Sequence, residues 1–311
     1  MNQITIAPNI HILMPSEVAD FSSLTFPMYR HLLTDPQVRE IVCAGAVAGD
    51  GTPVGLALGM GGPNGEFEMI SIHVLPFWRR SGLGRALQDA LCDAFATRNY
   101  RLAVHFFTVD ADDQGFAKFL AACSWRKPIV RQLVCRTDLA RAFETPWLRD
   151  APLPDGYSVI AWGEIGVAAR VDLKARHAAN PSLWPASLDP FHHETGCDQT
   201  TSLALLRGDE VVGWVLTHPL DDDTLRWTCS WVIDGLQGAA RIVPLWWQVA
   251  RRQRETSTRP NFIWTVPMEQ PRMARFATRR MRPWLDSLGY ACTAVRPLGY
   301  PTPAHRGIAH N

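Results

Sequence analysis

The sequence predicts an α/β fold, of the α+β type on a mixed sheet, arranged as two tandem domains. An alternating, strand-like stretch at 66–74 is followed by a glycine loop and an amphipathic helix at 82–98. The chain has 311 residues, about twice a typical domain length. Its second half repeats the order of the first: a hairpin, a third strand, a long helix and a further strand.

Each half contains a complete order of predicted elements. The first half gives a strand, one or two helices, a hairpin with a third strand, then helix, strand, helix and strand (4–13, 18–33, 41–47, 54–59, 66–74, 82–98, 102–109, 114–122 and 129–135). The second gives a hairpin with a third strand, a helix, a strand and a last helix that stops at Gly289 (203–206, 211–217, 224–232, 236–254, 262–266 and 273–288). Between the halves, the proline-rich stretch 144–156 predicts a linker, so we expect domains at residues 1–143 and 157–311.

Composition limits the class of protein. The formal net charge of +1 argues against a dedicated nucleic-acid binder. The seven cysteines, without CxxC spacing, favour a reducing compartment over a disulfide framework. The N-terminus lacks a signal-peptide pattern and no stretch reaches the ~20 apolar residues of a membrane span. We therefore expect a cytoplasmic protein without membrane or nucleic-acid partners.

The glycine loop at 79–84 carries the clearest chemical signal. Gly82 and Gly84 leave room at the start of the helix, where unpaired backbone N–H groups and the positive end of the helix dipole face outward. An anionic group can therefore approach the main chain closely. This pattern predicts a pyrophosphate-binding loop.

The same residues resemble the GCN5-related N-acetyltransferases (GNAT), whose helix entry is written VxPxxRGxGxG and whose cofactor motif is (Q/R)xxGx(G/A). Arg79-Arg80-Ser81-Gly82-Leu83-Gly84 satisfies the second pattern, and Val74 and Pro76 add two places of the first. The resemblance covers residues 4–137. It implies acyl-CoA, acetyl-CoA in the simplest case, as co-substrate and no metal. In the second half, the segment at 234–240 stands in the equivalent place but lacks the motif. This predicts a degenerate GNAT-like domain that shapes the acceptor site or supports the first domain.

The resemblance also implies which residues hold the cofactor. They lie at the end of the fourth strand, in the loop, in the first helical turn and after the fifth strand: Ile72, Val74, Arg79, Arg80, Ser81, Gly82, Leu83, Gly84, Arg85 and Asp113. Two of them depart from the family pattern. Arg80 stands where the family often has glycine, and Asp113 replaces a family asparagine.

Two residues are candidates for the base that removes the amine proton. Glu68 lies where some family members carry a catalytic glutamate, and regular alternation puts it on one face with Ile70, Ile72 and Val74. The alternative is that Glu68 is a solvated strand residue without a catalytic role. Glu66 is the next candidate for the base. His73 falls on the opposite face unless a bulge changes the parity, and it is either catalytic or structural.

The usual general acid is missing. Many relatives place a tyrosine in the helix before a Gly-Phe pair, where it protonates the leaving thiolate. Here Leu120 occupies the tyrosine's place and Ser124-Trp125 that of Gly-Phe. A thiol pKa near 8.5 makes the thiolate a fair leaving group without an acid.

Other clusters suggest weaker hypotheses. The residue types of His192-His193-Glu194 and Cys197 could bind a metal. No second pair of ligand residues with zinc spacing follows, so we expect an ordinary polar loop. Arginines crowd the segment 272–282, either as a solvated face or as a patch for an acidic acyl carrier protein. The sequence thus predicts an N-acyltransferase acting on a primary amine of a small molecule. The alternative is a non-catalytic tandem module that senses acyl-CoA or serves as a scaffold.

Overall fold

The computed structural model describes residues 7–33, 40–111, 115–233, 235 and 241–299. Twelve strands are present in these residues: β1 Asn9–Ile12, β2 Ile41–Val47, β3 Pro53–Gly61, β4 Glu66–Val74, β5 Leu102–Asp110, β6 Ile129–Asp138, β7 Tyr157–Ala161, β8 Leu203–Arg207, β9 Glu210–Pro219, β10 Thr224–Val232, β11 Asn261–Pro267 and β12 Ser287–Pro297. The α-helices are α1 Leu83–Ala96, α2 Gly115–Ala122, α3 Leu139–Glu144, α4 Val167–Ala179, α5 Ile242–Thr256 and α6 Pro271–Phe276. None of the described helices is long and apolar enough to cross a membrane.

The chain forms two compact units. The first contains residues 1–131 and 291–311, and the second contains residues 132–290. The mixed α/β architecture confirms the predicted fold class. The units differ from the predicted domains 1–143 and 157–311, because residues 132–143 group with the second unit and residues from 291 onward group with the first. The predicted domain boundaries stay a prediction.

Residues 295–298, at the end of β12 and just after it, are joined to the rest of the first unit by specific contacts. Arg126 donates its backbone N–H to the Val295 carbonyl at 2.9 Å, and Leu298 donates to the Arg101 carbonyl at 2.9 Å. The Arg296 guanidinium contacts the Asp89 carboxylate of α1 at 2.8 Å. The two residues of this ion pair are 207 positions apart in the sequence. No local pattern could predict this pairing.

The first unit is built on the antiparallel strands β1 to β4, followed by β5. Helix α1 covers one face and buries Leu87, Leu91 and Phe95 against Phe67 of β4. Phe67 and Phe95 stack with ring centroids 4.0 Å apart. The other face is covered by short 3₁₀ segments at Val18–Leu24 and Pro27–Leu33 in place of the predicted α-helices.

Strands β4 and β5 run parallel but pair only at their beginnings. The register joins Glu66 to Leu102, Phe67 to Ala103 and Glu68 to Val104. Both strands then continue for six residues, to Val74 and Asp110, without further pairing between them. The backbone groups that face this gap on β4 are therefore open to a ligand.

The second unit repeats this plan, as the sequence predicts. Its strand order is β7-β8-β9-β10-β11-β6, and the parallel pair β10 and β11 again shares only three positions, Thr224–Asn261 to Arg226–Ile263. Its core is rich in tryptophan, and Trp227 stacks on Phe262 with ring centroids 4.4 Å apart. Helix α5 packs on this core through Leu245 and Val249.

The last predicted helix, 273–288, is wrong in its second part. Helix α6 ends at Phe276, a π-helical segment covers Ala277–Met281 and a 3₁₀ turn covers Arg282–Trp284. Gly289 lies inside strand β12 and does not stop a helix. Pro283 explains part of this change, because proline cannot donate the next helical hydrogen bond. Strand β7 and helix α4 had no counterpart in the predicted elements.

Candidate active site

The glycine loop adopts two left-handed backbone conformations before α1 begins. Arg80 has φ +65° and Gly82 has φ +87°. Only glycine takes this region without strain. Arg80 thus occupies the conformation that glycine would favour, so the loop keeps its turn while carrying a guanidinium at this position. The resulting strain costs of order 1–2 kcal/mol.

The N-terminus of α1 is open to a ligand. Its N-cap residue, Gly82, supplies no side-chain cap, and the first backbone bond joins the Ala86 N–H to the Gly82 carbonyl at 3.1 Å. The N–H groups of the first helical turn precede this bond and have no partner within the helix. A Cβ atom on Gly84 would lie 3.3 Å from Phe119, which explains the small residue there. These donors form a site for an anionic group.

The side chains of the loop hold its shape and add positive charge. Arg79 donates from Nε to the Val74 carbonyl at 2.9 Å, and the Ser81 hydroxyl donates to the Trp78 carbonyl at 2.7 Å. The Leu83 side chain is buried in the core beneath the loop, so its backbone is the part that faces a ligand. Arg80 and Arg85 are exposed. Asp113, also predicted to contact the cofactor, lies outside the described residues.

A β-bulge at Ile70 changes the parity of β4. The register with β3 passes from Leu58–Ser71 to Gly59–Met69, so Ile70 is the extra residue. Ile70 packs in the core beneath the 3₁₀ segments, and the Ser71 hydroxyl bonds to that of Thr25 at 2.8 Å on the same side.

The bulge places the two candidate bases on one face. Met69, Ile72 and Val74 pack on the side of the sheet that α1 covers. Glu68 and His73 pair with Met60 and Leu56 of β3, whose side chains lie on the opposite face, so Glu68 and His73 lie on that face as well. Regular alternation had predicted that Glu68 shares a face with Ile72 and Val74, and this prediction is wrong. The extra residue in β4 is the physical reason.

Glu68 lines a small cavity where β4 and β5 cease to pair. The cavity has a volume of about 150 Å³, and its wall includes Met60, Asn64, Glu66 and Phe106. Two carboxylate residues in one wall favour a cationic occupant by charge complementarity. Asn64, Met60 and Phe106 were not predicted, because they come from a turn and two strands that carry no motif.

Two histidines near the parallel strands differ in environment. Partial burial, with a smaller contribution from the Arg79 charge, lowers the pKa of His73 below its ordinary value of 6.5. Burial lowers the pKa of His105 to about 4. His105 packs among aromatic rings, with Phe107 5.1 Å away between centroids. His105 is therefore a neutral core residue, whereas half-buried His73 keeps a neutral imidazole that could accept a proton.

The region of the missing general acid is apolar. Leu120 is fully buried in the core against α1. Ser124, in place of the family's glycine, has φ +62° and again takes the left-handed conformation. Trp125 follows, nearly buried at 5% exposure. The turn therefore has a left-handed residue at Ser124 and no phenol at the Leu120 position.

The other reactive candidates have structural roles. Burial raises the pKa of the Cys92 thiol to about 12, which argues against a thiolate nucleophile there. Glu194 accepts a hydrogen bond from the Trp162 indole at 2.8 Å and also contacts Arg170. His193 bonds to the Ser187 carbonyl. Within the described ranges, His, Cys, Asp and Glu side chains form no group of three that could hold a metal.

Comparison with known proteins agrees with this geometry. Residues 7–124 match the sequence profile of the Acetyltransferase (GNAT) family. No curated protein sequence matches significantly.

Solved structures share the fold over nearly the whole chain. A tandem GNAT protein from the clavulanic acid biosynthesis pathway matches 95% of this chain and 99% of its own, with 16% identity and a TM-score of 0.59. A GCN5-related N-acetyltransferase from Sphaerobacter thermophilus matches 94% and 96%, with 16% identity and a TM-score of 0.56. A glucosamine N-acetyltransferase region of a fungal multi-domain GH3 β-N-acetylglucosaminidase matches 94% of this chain and 39% of that one, with 13% identity and a TM-score of 0.54.

The profile match falls on the unit with the open α1 N-terminus, and the structural matches extend the same plan through the second unit. Residues 7–124 thus match the Acetyltransferase (GNAT) family, and nearly the whole chain shares the fold of a solved tandem GNAT protein.

Proposed function

We propose that the first unit binds acyl-CoA, with acetyl-CoA as the simplest case, and transfers the acyl group to a primary amine of a small molecule. The observation that carries this proposal is the uncapped N-terminus of α1, approached through a loop with Arg80 and Gly82 in left-handed conformations. The unpaired ends of β4 and β5 support it as well.

The residues fit the parts of coenzyme A. The pyrophosphate would bind to the N–H groups of Gly82 to Arg85, with the exposed Arg79 and Arg80 adding positive charge. The pantetheine arm would lie along β4, where the backbone of Ile72 and Val74 has no partner on β5. A backbone N–H of β4 would then polarise the thioester oxygen.

The acceptor would enter from the face that carries Glu68 and His73. The cavity at Glu66 and Glu68 suits a cationic amine. In the reaction, the bound ammonium ion first loses one proton to solvent. The neutral amine nitrogen then attacks the thioester carbon, a C–N bond forms and the C–S bond breaks. The amine proton passes to Glu68 or to the neutral imidazole of His73. The thiolate leaves with the C–S electron pair and takes a proton from solvent, since Leu120 offers none.

Calorimetric titration and thiol release test this proposal. Acetyl-CoA is expected to bind at one site, and a panel of primary amines is screened for release of free thiol. Arg79→Ala should weaken acetyl-CoA binding, because it removes both charge and the bond to the Val74 carbonyl. Arg251→Ala, which changes an exposed arginine of the second unit, serves as the matched control. Failure of acetyl-CoA to bind would overturn the proposal.

A catalytic protein and a non-catalytic sensor differ in one measurement. Glu68→Gln preserves size and should leave acetyl-CoA binding intact in both cases. In an enzyme that uses this base it lowers turnover by roughly 10²–10⁴-fold. If no amine releases thiol although acetyl-CoA binds, the sensor or scaffold function is favoured.

An acidic acyl carrier protein is the alternative donor. The segment Pro271–Trp284 exposes five arginines, Arg272, Arg275, Arg279, Arg280 and Arg282. A patch of this sign attracts an acidic surface. The thiol-release assay with an acylated carrier protein in place of acetyl-CoA tests this donor. If the arginines bind the carrier, Arg279→Glu should lower the rate with the carrier and leave the rate with acetyl-CoA unchanged.

A further inference from the structure

We propose that the second unit contains a separate binding site for a small carboxylic acid with an apolar chain or ring. The site is a cavity between the end of β10, the start of α5 and the start of α6. All its lining residues belong to the second unit. The proposal does not depend on acyl transfer by the first unit.

The cavity has the size and the walls of a small-molecule site. Its volume of about 440 Å³ lies in the usual range for such sites, roughly 300–1,000 Å³. Its apolar wall includes Trp231, Trp246, Ile242, Val243, Met273 and Phe276. A smaller cavity of about 60 Å³ shares Ser230 and Trp246 with it and extends the apolar space. Most of these apolar side chains are only half-buried, so a ligand would cover surface that now faces solvent.

The tryptophans present their rings to the cavity rather than hydrogen-bond donors. The indole N–H of Trp246 donates to the Ser230 hydroxyl at 2.6 Å. The indole N–H of Trp231 donates to the Leu183 carbonyl at 3.2 Å. Because both donors are already bonded, the walls favour an aliphatic or aromatic group over a polar one.

The start of α5 is unsuited to the pyrophosphate of coenzyme A. Gly82 is the N-cap residue of α1 and Gly84 lies in its first turn, whereas α5 begins with Ile242 and Val243, whose side chains line the cavity. Pro244 follows and lacks a backbone N–H altogether. Branched apolar side chains and a missing donor replace the open backbone that an anion requires. The ligand portion at this end is therefore apolar.

The opposite wall supplies a positive charge. Arg272 and Gln270 line the cavity at the start of α6. Arg272 is exposed, and in the part of the chain that the structure describes its guanidinium makes no hydrogen bond or ion pair. The described lining includes no carboxylate. This combination favours a carboxylate over an amine at the polar end.

Calorimetry and intrinsic tryptophan fluorescence with octanoate test the proposal on the full-length protein. Octanoate is expected to bind saturably at one site, and octylamine and octan-1-ol, which lack the carboxylate, are expected to bind at least about fivefold more weakly. Arg272→Gln should weaken octanoate about fivefold. Arg280→Gln, an exposed arginine outside the lining, should change its Kd less than twofold.

A cavity-filling change locates the ligand. Val243→Trp should weaken octanoate about tenfold or more by occupying its space, with folding checked by circular dichroism. If that variant does not fold, Met273→Trp fills the same cavity from the other side. Saturating acetyl-CoA should leave octanoate binding unchanged, which separates this site from the first unit. The proposal is overturned if octanoate shows no saturable binding, if octylamine binds equally, if the filling variant has no effect, or if acetyl-CoA displaces octanoate.

Discussion

The His105 imidazole donates a hydrogen bond from Nδ1 to the Met69 carbonyl at 2.5 Å, one position beyond the last paired residues of β4 and β5. This bond joins the two parallel strands where they begin to diverge. It fixes the tautomer with the proton on Nδ1 and satisfies a carbonyl next to the bulge at Ile70. Burial keeps the ring neutral, with a pKa of about 4.

This buried histidine predicts a loss of stability in mild acid. The unfolded chain protonates His105 near its ordinary pKa of 6.5, whereas the folded unit does so only near 4. The unfolded state therefore binds more protons between these values, and the free energy of unfolding falls as the pH falls from 6.5 to 4. The contribution is of order 3 kcal/mol and is fully present above pH 6.5.

Denaturant unfolding at several pH values checks this expectation. In His105→Leu the part of the acid dependence that comes from this histidine should disappear, although the variant loses the bond to Met69 at every pH. His31→Leu, which changes an exposed histidine of the same unit, is the control for the substitution itself. An unchanged slope in His105→Leu would contradict the prediction.

Relief of backbone strain should stabilise the first unit. Ser124 is exposed and has φ +62°, so replacement by glycine removes a left-handed penalty of about 1–2 kcal/mol. Glycine loses more conformational freedom on folding than serine, and this entropy cost offsets about 0.5–1 kcal/mol of the gain. We expect a net gain of about 0.5–1 kcal/mol in the free energy of unfolding. Ser124→Ala keeps the strain and should show no gain, which urea titration of both variants can establish.

How much of this structure the sequence predicts depends on the range of each interaction. The alternation at 66–74 and the three- and four-residue spacing after Gly82 are local, and β4 and α1 form where these patterns predict them. The left-handed Arg80 and Ser124 also stand at positions where the family pattern has glycine.

Features that depend on distant partners could not be predicted. The sequence leaves a bulge in β4 open as an alternative, but its position at Ile70 is set by the pairing of β3 with β4. There it reverses the faces of Ile72 and Val74 relative to Glu68. The ion pair between Arg296 and Asp89 joins the last described strand to α1. The cavity wall at Asn64 and Phe106 comes from segments without a motif. In each case the missing information is tertiary pairing, which no local pattern contains.

Two glycines separate the cost of backbone strain from the cost to ligand binding. Gly51 and Gly82 both have φ +87°, and a Cβ atom on either would have no neighbour within 4 Å. Alanine at either position should lower the free energy of unfolding by about 1–2 kcal/mol. Only Gly82→Ala should weaken acetyl-CoA binding, because its Cβ would stand where a phosphate approaches the helix. Equal acetyl-CoA affinity of the two variants, measured by calorimetry, would argue against a phosphate site at α1.

The pH dependence of the proposed reaction identifies its base. The pKa of His73 is lowered, so its imidazole stays neutral to a pH below 6.5. If His73 accepts the amine proton, kcat/KM should rise with pH through that lowered pKa, and this limb should vanish in His73→Asn. If Glu68 is the base, His73→Asn keeps the wild-type pH profile and Glu68→Gln lowers kcat/KM. A wild-type pH profile and an unchanged kcat/KM in both variants would exclude both residues as the base.

Two fully buried glutamines, one in each unit, should respond in opposite ways to replacement by leucine. Gln253 of α5 accepts from the Trp227 indole at 3.1 Å and donates to the carbonyls of Arg259 and Asn261 at 2.9 and 3.1 Å. Among the described residues, neither polar atom of the Gln88 side chain in α1 has a hydrogen-bond partner. A buried polar group without a hydrogen-bond partner lowers the free energy of unfolding by about 1–3 kcal/mol. Removing one side chain of a bonded pair imposes the same penalty, because the group that it was bonded to loses its partner.

Gln253→Leu should therefore lower the free energy of unfolding by at least about 2 kcal/mol, because it strands the Trp227 donor and two carbonyls. Gln88→Leu should be neutral or stabilising by about 1 kcal/mol, because no described partner is lost. Urea midpoints at constant m-value give both numbers. A large destabilisation in Gln88→Leu would mean that the side chain has a partner, such as a buried water, and that α1 packs on the sheet through a polar contact.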